Sequence, residues 1–201
     1  MTLAPPPIVL ASGSGIRRSI LEAAGISFTI ERPDIDETSL IEDGVGKGRP
    51  LTEIAGDLAG AKAKAVNVAD EAFVIGSDQI LGFQEAAFEK PKDLAEARER
   101  LLLLQGQTHV LINAVSVVRA GEQIFDIVDE ARLTMRSMTL VDIDAYLEAA
   151  GEAVLSSVGA YQLEGLGARL FEKVEGDFFT VLGLSLFPLL KFLRDESVIP
   201  Y

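Results

Sequence analysis

An α/β fold is what this sequence predicts, and three observations predict it. Apolar runs of strand length alternate along the chain with amphipathic stretches of helical period. The run Pro7-Ile8-Val9-Leu10 empties into the small-residue stretch Ala11-Ser12-Gly13-Ser14-Gly15 and then into a helical pattern, the order of a strand, a short loop and a helix start. Gly121 separates two long strand patterns, as a hairpin turn would. With 201 residues, 48% of them hydrophobic, the chain can bury a substantial core, and it is expected to form a single domain over 1–201.

In order, the strand patterns fall at 8–10, 28–31, 73–75, 109–118, 123–135, 159–161 and 170–174. Helical patterns fall at 16–24, 50–68, 93–104, 139–149 and 180–193, the last with Pro188 as a kink or restart. Two stretches between them read as loops. The first, 33–49, carries Asp34, Asp36, Glu37, Glu42 and Asp43 beside several glycines. The second, 82–93, carries Glu85, Glu89, Lys90 and Lys92 around Pro91. Loops over strand ends are where α/β proteins place their ligands.

Composition removes several classes of function. The chain has no cysteine, so disulfides, thiolate metal sites and cysteine nucleophiles are excluded. A net charge of −13 argues against broad contact with nucleic acid or anionic lipid, which would be repelled at long range. No segment approaches the ~20 apolar residues that span a bilayer. A cytoplasmic protein with no membrane and no nucleic-acid partner is expected. A small anionic ligand would need local cations, and a divalent ion would help.

The first βα turn supplies such cations. Glycine and serine let backbone N–H groups approach an anion, a helix start adds partial positive charge, and Arg17 and Arg18 bring forked donors that match phosphate oxygens. Helical neighbours sit ~100° apart, so one arginine is expected on the ligand and the other bracing the loop. A second turn, Gly76-Ser77-Asp78-Gln79, follows an apolar strand and is expected as a loop ending in acid at the mouth of the sheet. Asp78 there reads either as a metal or base carboxylate or as a loop-capping side chain. Asp36 and Glu37 are the other acids placed to meet a metal. Lys62 and Lys64 lie two apart on one helix, so at most one should reach a site, and Lys90 precedes a proline in a loop. The single histidine, His109, opens a strand and reads as structural; Met135 and Met138 read as core.

These pieces together resemble one family, the Maf-like nucleotide pyrophosphatases. The resemblance spans roughly 8–194. It rests on Leu10-Ala11-Ser12-Gly13-Ser14-Gly15-Ile16-Arg17-Arg18, Asp36-Glu37-Thr38, Lys62-Ala63, Gly76-Ser77-Asp78-Gln79, Lys90-Pro91 and Thr108-His109. Further along it continues in Gly159-Ala160-Tyr161, Glu164-Gly165, Glu175-Gly176-Asp177 and Gly183-Leu184. It implies an inosine-triphosphatase-like fold, a mixed twisted sheet with flanking helices forming two lobes around a central cleft. It implies hydrolysis of a nucleoside triphosphate at the α-phosphate with a divalent cation, Mg2+ or Mn2+. Carried across, Asp78 is the expected proton acceptor and, with Glu37, a metal ligand; Ser12, Arg17, Arg18, Lys62 and Lys90 would hold the substrate.

Ser77-Asp78-Gln79 and Glu164-Gly165 resemble the branch acting on 7-methyl-GTP, with Ile16, Gln79 and Glu164 as specificity positions. A carboxylate at Glu164 suits the paired N–H donors of a guanine edge, and N7-methylation adds positive charge to that ring. Isoleucine at 16 stands where that branch often has tryptophan, and glutamate at 89 and serine at 185 stand where the family usually has glycine and proline. The alternatives are a dTTP/UTP-type pyrophosphatase and, in another class, a nucleotide-binding regulator of septum formation. The family often forms homodimers, so a homodimer is an expectation here as well.

Overall fold

The computed structural model describes residues 6–84 and 86–201; Glu85, expected in the second charged loop, lies outside the described residues. In chain order the elements are β1 (Ile8–Ala11), α1 (Gly15–Ala23), β2 (Thr29–Glu31), α2 (Glu37–Gly46), α3 (Leu51–Lys64), β3 (Phe73–Phe83) and β4 (Ala86–Phe88). They continue with α4 (Leu94–Leu104), β5 (Thr108–Arg119), β6 (Glu122–Met135), α5 (Leu140–Ala150), β7 (Phe171–Glu175), α6 (Phe178–Leu182) and α7 (Leu186–Asp195). Two 3-10 turns, Gly151–Ser156 and Leu166–Leu170, lie between α5 and β7. The fold is mixed α/β, as the periodicity predicts. Seven strands form one open sheet in the order β2-β1-β3-β5-β6-β7, with β4 on β3. β1 pairs in parallel with β2 and β3, whereas β3 with β4 and β6 with β7 are antiparallel.

By its contacts the chain divides into two compact units. The first takes residues up to 78, 113–129 and 183–201; the second takes 79–112 and 130–182. The first unit buries every residue of β1 and packs Val9, Ala11, Ala63, Ala72, Val74 and Val118 together. Phe125 stacks on Phe192 at 4.6 Å between ring centres. The second unit has its own core, in which Leu101 and Leu104 of α4 meet Leu133, Met135, Ile143 and Leu147. Local chemistry agrees with the helix starts: Asp93 accepts from the Glu96 N–H at 2.8 Å, and Thr139 and Asp142 form a reciprocal capping box. The hairpin at Gly121 is a two-residue turn, with Ala120 and Gly121 at φ +50° and +77°, the positive-φ pair that matches strand twist.

Six expectations are corrected. The acidic stretch 33–49 is not all loop, because Asp36 caps a helix, α2, at its start through the Ser39 N–H. Residues 76–79 are not a loop but the middle of β3, which runs on to Phe83, and part of the stretch 82–93 forms β4. The α3 helix stops at Lys64 rather than 68. The expected helix 180–193 is two helices, α6 and α7, with Gly183 at φ +100° between them. Finally, residues 159–161 are a turn and not a strand. Ala160 adopts φ +58°, outside the strand region, and a Cβ on Gly159 would lie 2.1 Å from the Tyr161 ring.

Candidate active site

Why β3 carries a carboxylate to a lysine follows from its side-chain alternation. Residues two apart on a strand share a face, so Gly76 and Asp78 look the same way and Ser77 the other. On the Gly76 face the α3 helix lies very close: a Cβ at 76 would sit 2.1 Å from the Ala59 carbonyl oxygen and 2.7 Å from the Ala63 amide nitrogen. Only glycine admits that approach. The helix answers with alanines at 59 and 63, one turn apart, and Lys62 beside them on the same side. Two residues along from Gly76, the Asp78 carboxylate accepts from Lys62 Nζ at 2.6 Å. Both side chains are only 8% exposed.

The same ammonium donates to Glu37 Oε2 at 2.7 Å, from the first residue of α2. Glu37 is 46% exposed, so this carboxylate opens the buried pair to solvent. The α2 helix can lie against α3 because Gly44 meets Ile54 where a Cβ would be 2.7 Å from the isoleucine side chain.

Arg17 completes the cluster. It is buried on α1, donates from Nε to the Gly183 carbonyl at 2.7 Å and from Nη1 to Ser12 Oγ at 3.3 Å. Burial pulls its pKa below the ordinary guanidinium value, and the negative charges of Asp78 and Glu37 act in the opposite sense. Ser12 Oγ also accepts from the Ser14 N–H at 3.2 Å, which shapes the turn into α1. No acidic residue stands in the first turn of α1, so its N–H groups and partial positive charge are unopposed there. Arg18 behaves differently: it is exposed and paired with Glu22 at 2.8 Å. Ile16 on the same turn is half-buried.

On the other face of β3 the Ser77 hydroxyl donates to the Gly183 carbonyl at 3.1 Å, so that one oxygen receives both Ser77 and Arg17. Asn113 in β5 donates to the Asp78 backbone carbonyl at 2.8 Å. Neither Asn113 nor the Gly183 to Ser185 turn was among the residues expected at the site. Asn113 had one legible signal: an amide within the apolar run Val110-Leu111-Ile112 and Ala114-Val115 must find partners, since burying it unbonded is costly.

The remaining expected residues belong to the second unit. The Gln79 amide donates to the carbonyls of Thr180 and Val181 at 2.9 and 3.1 Å. Glu164 is exposed in the turn before Leu166–Leu170, and Lys90 is exposed after β4. Arg100 donates to the carbonyl of Glu89, the residue before Lys90, and at 2.6 Å to that of Val158.

Two oxygen-bearing side chains on one ammonium, one of them half-exposed, form the donor set that a hard divalent cation takes, with water and phosphate filling its other positions. Among the described residues no group of three or more acids or histidines could hold a metal by itself. Asp78 and Glu37 are both held by Lys62, and their negative charges act on the buried Arg17.

The description "Maf-like protein" belongs to the family whose sequence model matches residues 7–196. The chain belongs to the Maf-like family. Among Maf-like relatives, a nucleoside triphosphate pyrophosphatase of Bradyrhizobium diazoefficiens is 47% identical over 96% of this chain and 95% of its own length. Another, from Paramagnetospirillum magneticum, bears the same name and is 46% identical over 94% and 98%. A 7-methyl-GTP pyrophosphatase of Rhizobium johnstonii is 45% identical over 96% and 98%. No helix among the described residues is long and apolar enough to cross a membrane.

Proposed function

We infer that this Maf-like chain is a nucleoside triphosphate pyrophosphatase, a hydrolase that cleaves between the α- and β-phosphates to give a nucleoside monophosphate and pyrophosphate. The observation that carries the reading is the pair of carboxylates, Asp78 and Glu37, on the single ammonium of Lys62 beside the buried Arg17. Phosphoryl transfer needs positive charge on non-bridging oxygens and one placed carboxylate near the attacking water. Arg17 and Lys62 supply the first from rigid helices, and the start of α1 adds N–H donors. Asp78, fixed on a central strand, is the group to accept the water's proton. Arg18, exposed on the same turn as Arg17, is assigned to the outer phosphates. Glu37 and Asp78 would hold a divalent cation, Mg2+ or Mn2+, which supplies Lewis-acid stabilisation and lowers the pKa of bound water. Lys62 keeps the two acids together and balances their charge before substrate arrives.

Within this activity 7-methyl-GTP is the substrate we propose. Two relatives at 45% identity bear that name. The exposed carboxylate of Glu164 is an acceptor for the N1–H and N2–H donors of a guanine edge, and it favours a cationic ring. The test is pyrophosphate release from 7-methyl-GTP, GTP, UTP and dTTP with Mg2+, for wild type and Asp78→Asn. Wild type is expected to favour 7-methyl-GTP, and the substitution to cost about 100-fold or more in kcat. Turnover left intact in Asp78→Asn would remove Asp78 from its role; a preference for UTP or dTTP would replace the proposed substrate.

A further inference from the structure

Asn113 is fully buried in β5, and all four of its hydrogen-bonding capacities are in use. Its Nδ2 donates to the Asp78 carbonyl at 2.8 Å and to Ser77 Oγ at 3.4 Å. Its Oδ1 accepts from the Ser185 N–H at 2.7 Å and from the Ser185 hydroxyl at 2.9 Å. The orientation of this amide is forced by its partners. Turned over, it would set an NH2 against an N–H and an oxygen against a carbonyl.

Two functional side chains meet through this one group. The Nδ2 side holds the backbone of Asp78, whose carboxylate sits on Lys62. The Oδ1 side holds the turn at Ser185, two residues past the Gly183 carbonyl that anchors Arg17. Ser185 stands at the start of α7, where a serine side chain ordinarily accepts from the helix's own N–H groups. Here it caps nothing and donates to Asn113 instead.

We propose that Asn113 is a positioning residue for the hydrolysis, setting the Asp78 carboxylate through its Nδ2 and the Arg17 guanidinium through its Oδ1. The proposal rests on the pyrophosphatase reading above. The two arms serve different events. Asp78 acts in the chemical step, so the Nδ2 arm governs kcat. Arg17 grips phosphate in the ground state as well, so the Oδ1 arm governs KM.

Kinetics of pyrophosphate release, measured well below each protein's melting temperature and scaled to folded protein, separate these arms. Asn113→Ala loses both, and is expected to lower kcat roughly 10- to 100-fold and raise KM several-fold, the scale of a misplaced catalytic group. Ser185→Ala loses only the hydroxyl bond on the Oδ1 side, so KM should rise about two- to five-fold with kcat within about twofold of wild type. Ser116→Ala is the control, a buried serine three residues along β5 whose hydroxyl has no hydrogen-bond partner among the described residues; both constants should hold. Should Asn113→Ala fail to fold, Asn113→Ser replaces it, keeping a polar atom but too short to span both partners, with the same loss of kcat expected. Wild-type kcat per folded molecule in the Asn113 variant, or equal losses of kcat in the Asn113 and Ser185 variants, would overturn the positioning role. A wild type that turns over no triphosphate would instead overturn the pyrophosphatase reading and this role with it. Asp78→Asn inactive beside an unaffected Asn113→Ala would overturn the role alone.

Discussion

His109 lies with Nε2 2.6 Å from the Tyr161 hydroxyl, while its Nδ1 is buried and has no hydrogen-bond partner among the described residues. A charged imidazolium in that place would lose its water and gain no carboxylate. Burial accordingly pushes its pKa down to about 4 from 6.5, and pushes the Tyr161 hydroxyl up. The consequence for stability has a definite sign. In the unfolded chain the ring takes a proton as pH falls below 6.5, and in the folded chain it does not until about 4, so the unfolded state binds more protons between those values. The stabilisation is complete above pH 6.5 and is lost as pH falls through that window. Going from pH 7 to pH 5 should cost about 2 kcal/mol from this one group. His109→Gln, which keeps a polar atom but cannot titrate there, should shrink the difference between the urea-unfolding free energies at those two pH values by that amount. An unchanged difference would mean that the folded ring is protonated in the same range as the unfolded one.

At the scale of elements, the close approach of β3 and α3 carries the site, and Gly76 permits it. Gly76→Ala places a methyl group 2.1 Å from the Ala59 carbonyl oxygen, a backbone atom that cannot turn aside. The helix must move, with an expected cost of about 2–3 kcal/mol in urea unfolding. Lys62 moves with it relative to Asp78, so kcat should fall even in the folded fraction. Stability and kcat both near wild type would show that the strand tolerates a wider spacing. The same contact explains what was legible in the sequence. α1, α4, α5 and β6 are readable because apolar residues recur along each at the period of its element, and β1 because it is an unbroken apolar run, buried at every residue. α2 is not, since its acids and its two glycines give no apolar stripe, and Gly44 serves the packing of Ile54 rather than helix propensity. Gly-Ser-Asp in mid-strand read as a turn for a similar reason. Each of the three is held by a tertiary partner: α3 against Gly76, the Gly183 carbonyl on Ser77, Lys62 on Asp78. Arg17 and Asp78 stand out in the sequence because each follows an apolar run and a small-residue stretch, whereas the roles of Ser12, Lys62 and Glu37 come through the family resemblance, Glu37 lying in a helix that the pattern does not reveal. Gly183 accepts from Arg17 across 166 positions of sequence through a backbone oxygen, for which no residue type is diagnostic.

At the scale of the whole chain, charge sets how substrate arrives. The net charge is −13, and a nucleoside triphosphate, even with a divalent cation, is also an anion. Near the site the charges cancel, because the cations Arg17 and Lys62 face the anions Glu37 and Asp78. At about 0.01 M ionic strength the screening length is ~30 Å, so an approaching substrate feels the acidic total before the local cations; at about 0.15 M it is ~8 Å and only the neighbourhood matters. Added salt should therefore relieve repulsion more than it weakens the grip of buried Arg17 and Lys62, which water and ions screen less. At constant Mg2+, kcat/KM is expected to rise about two- to five-fold between those ionic strengths, chiefly through faster association. A protein that gathers polyanions through a broad basic face would respond in the opposite direction, its affinity falling steeply with salt. A kcat/KM that declines steadily over the same range would mean that the substrate is drawn in by a positive local field strong enough to outweigh the acidic excess.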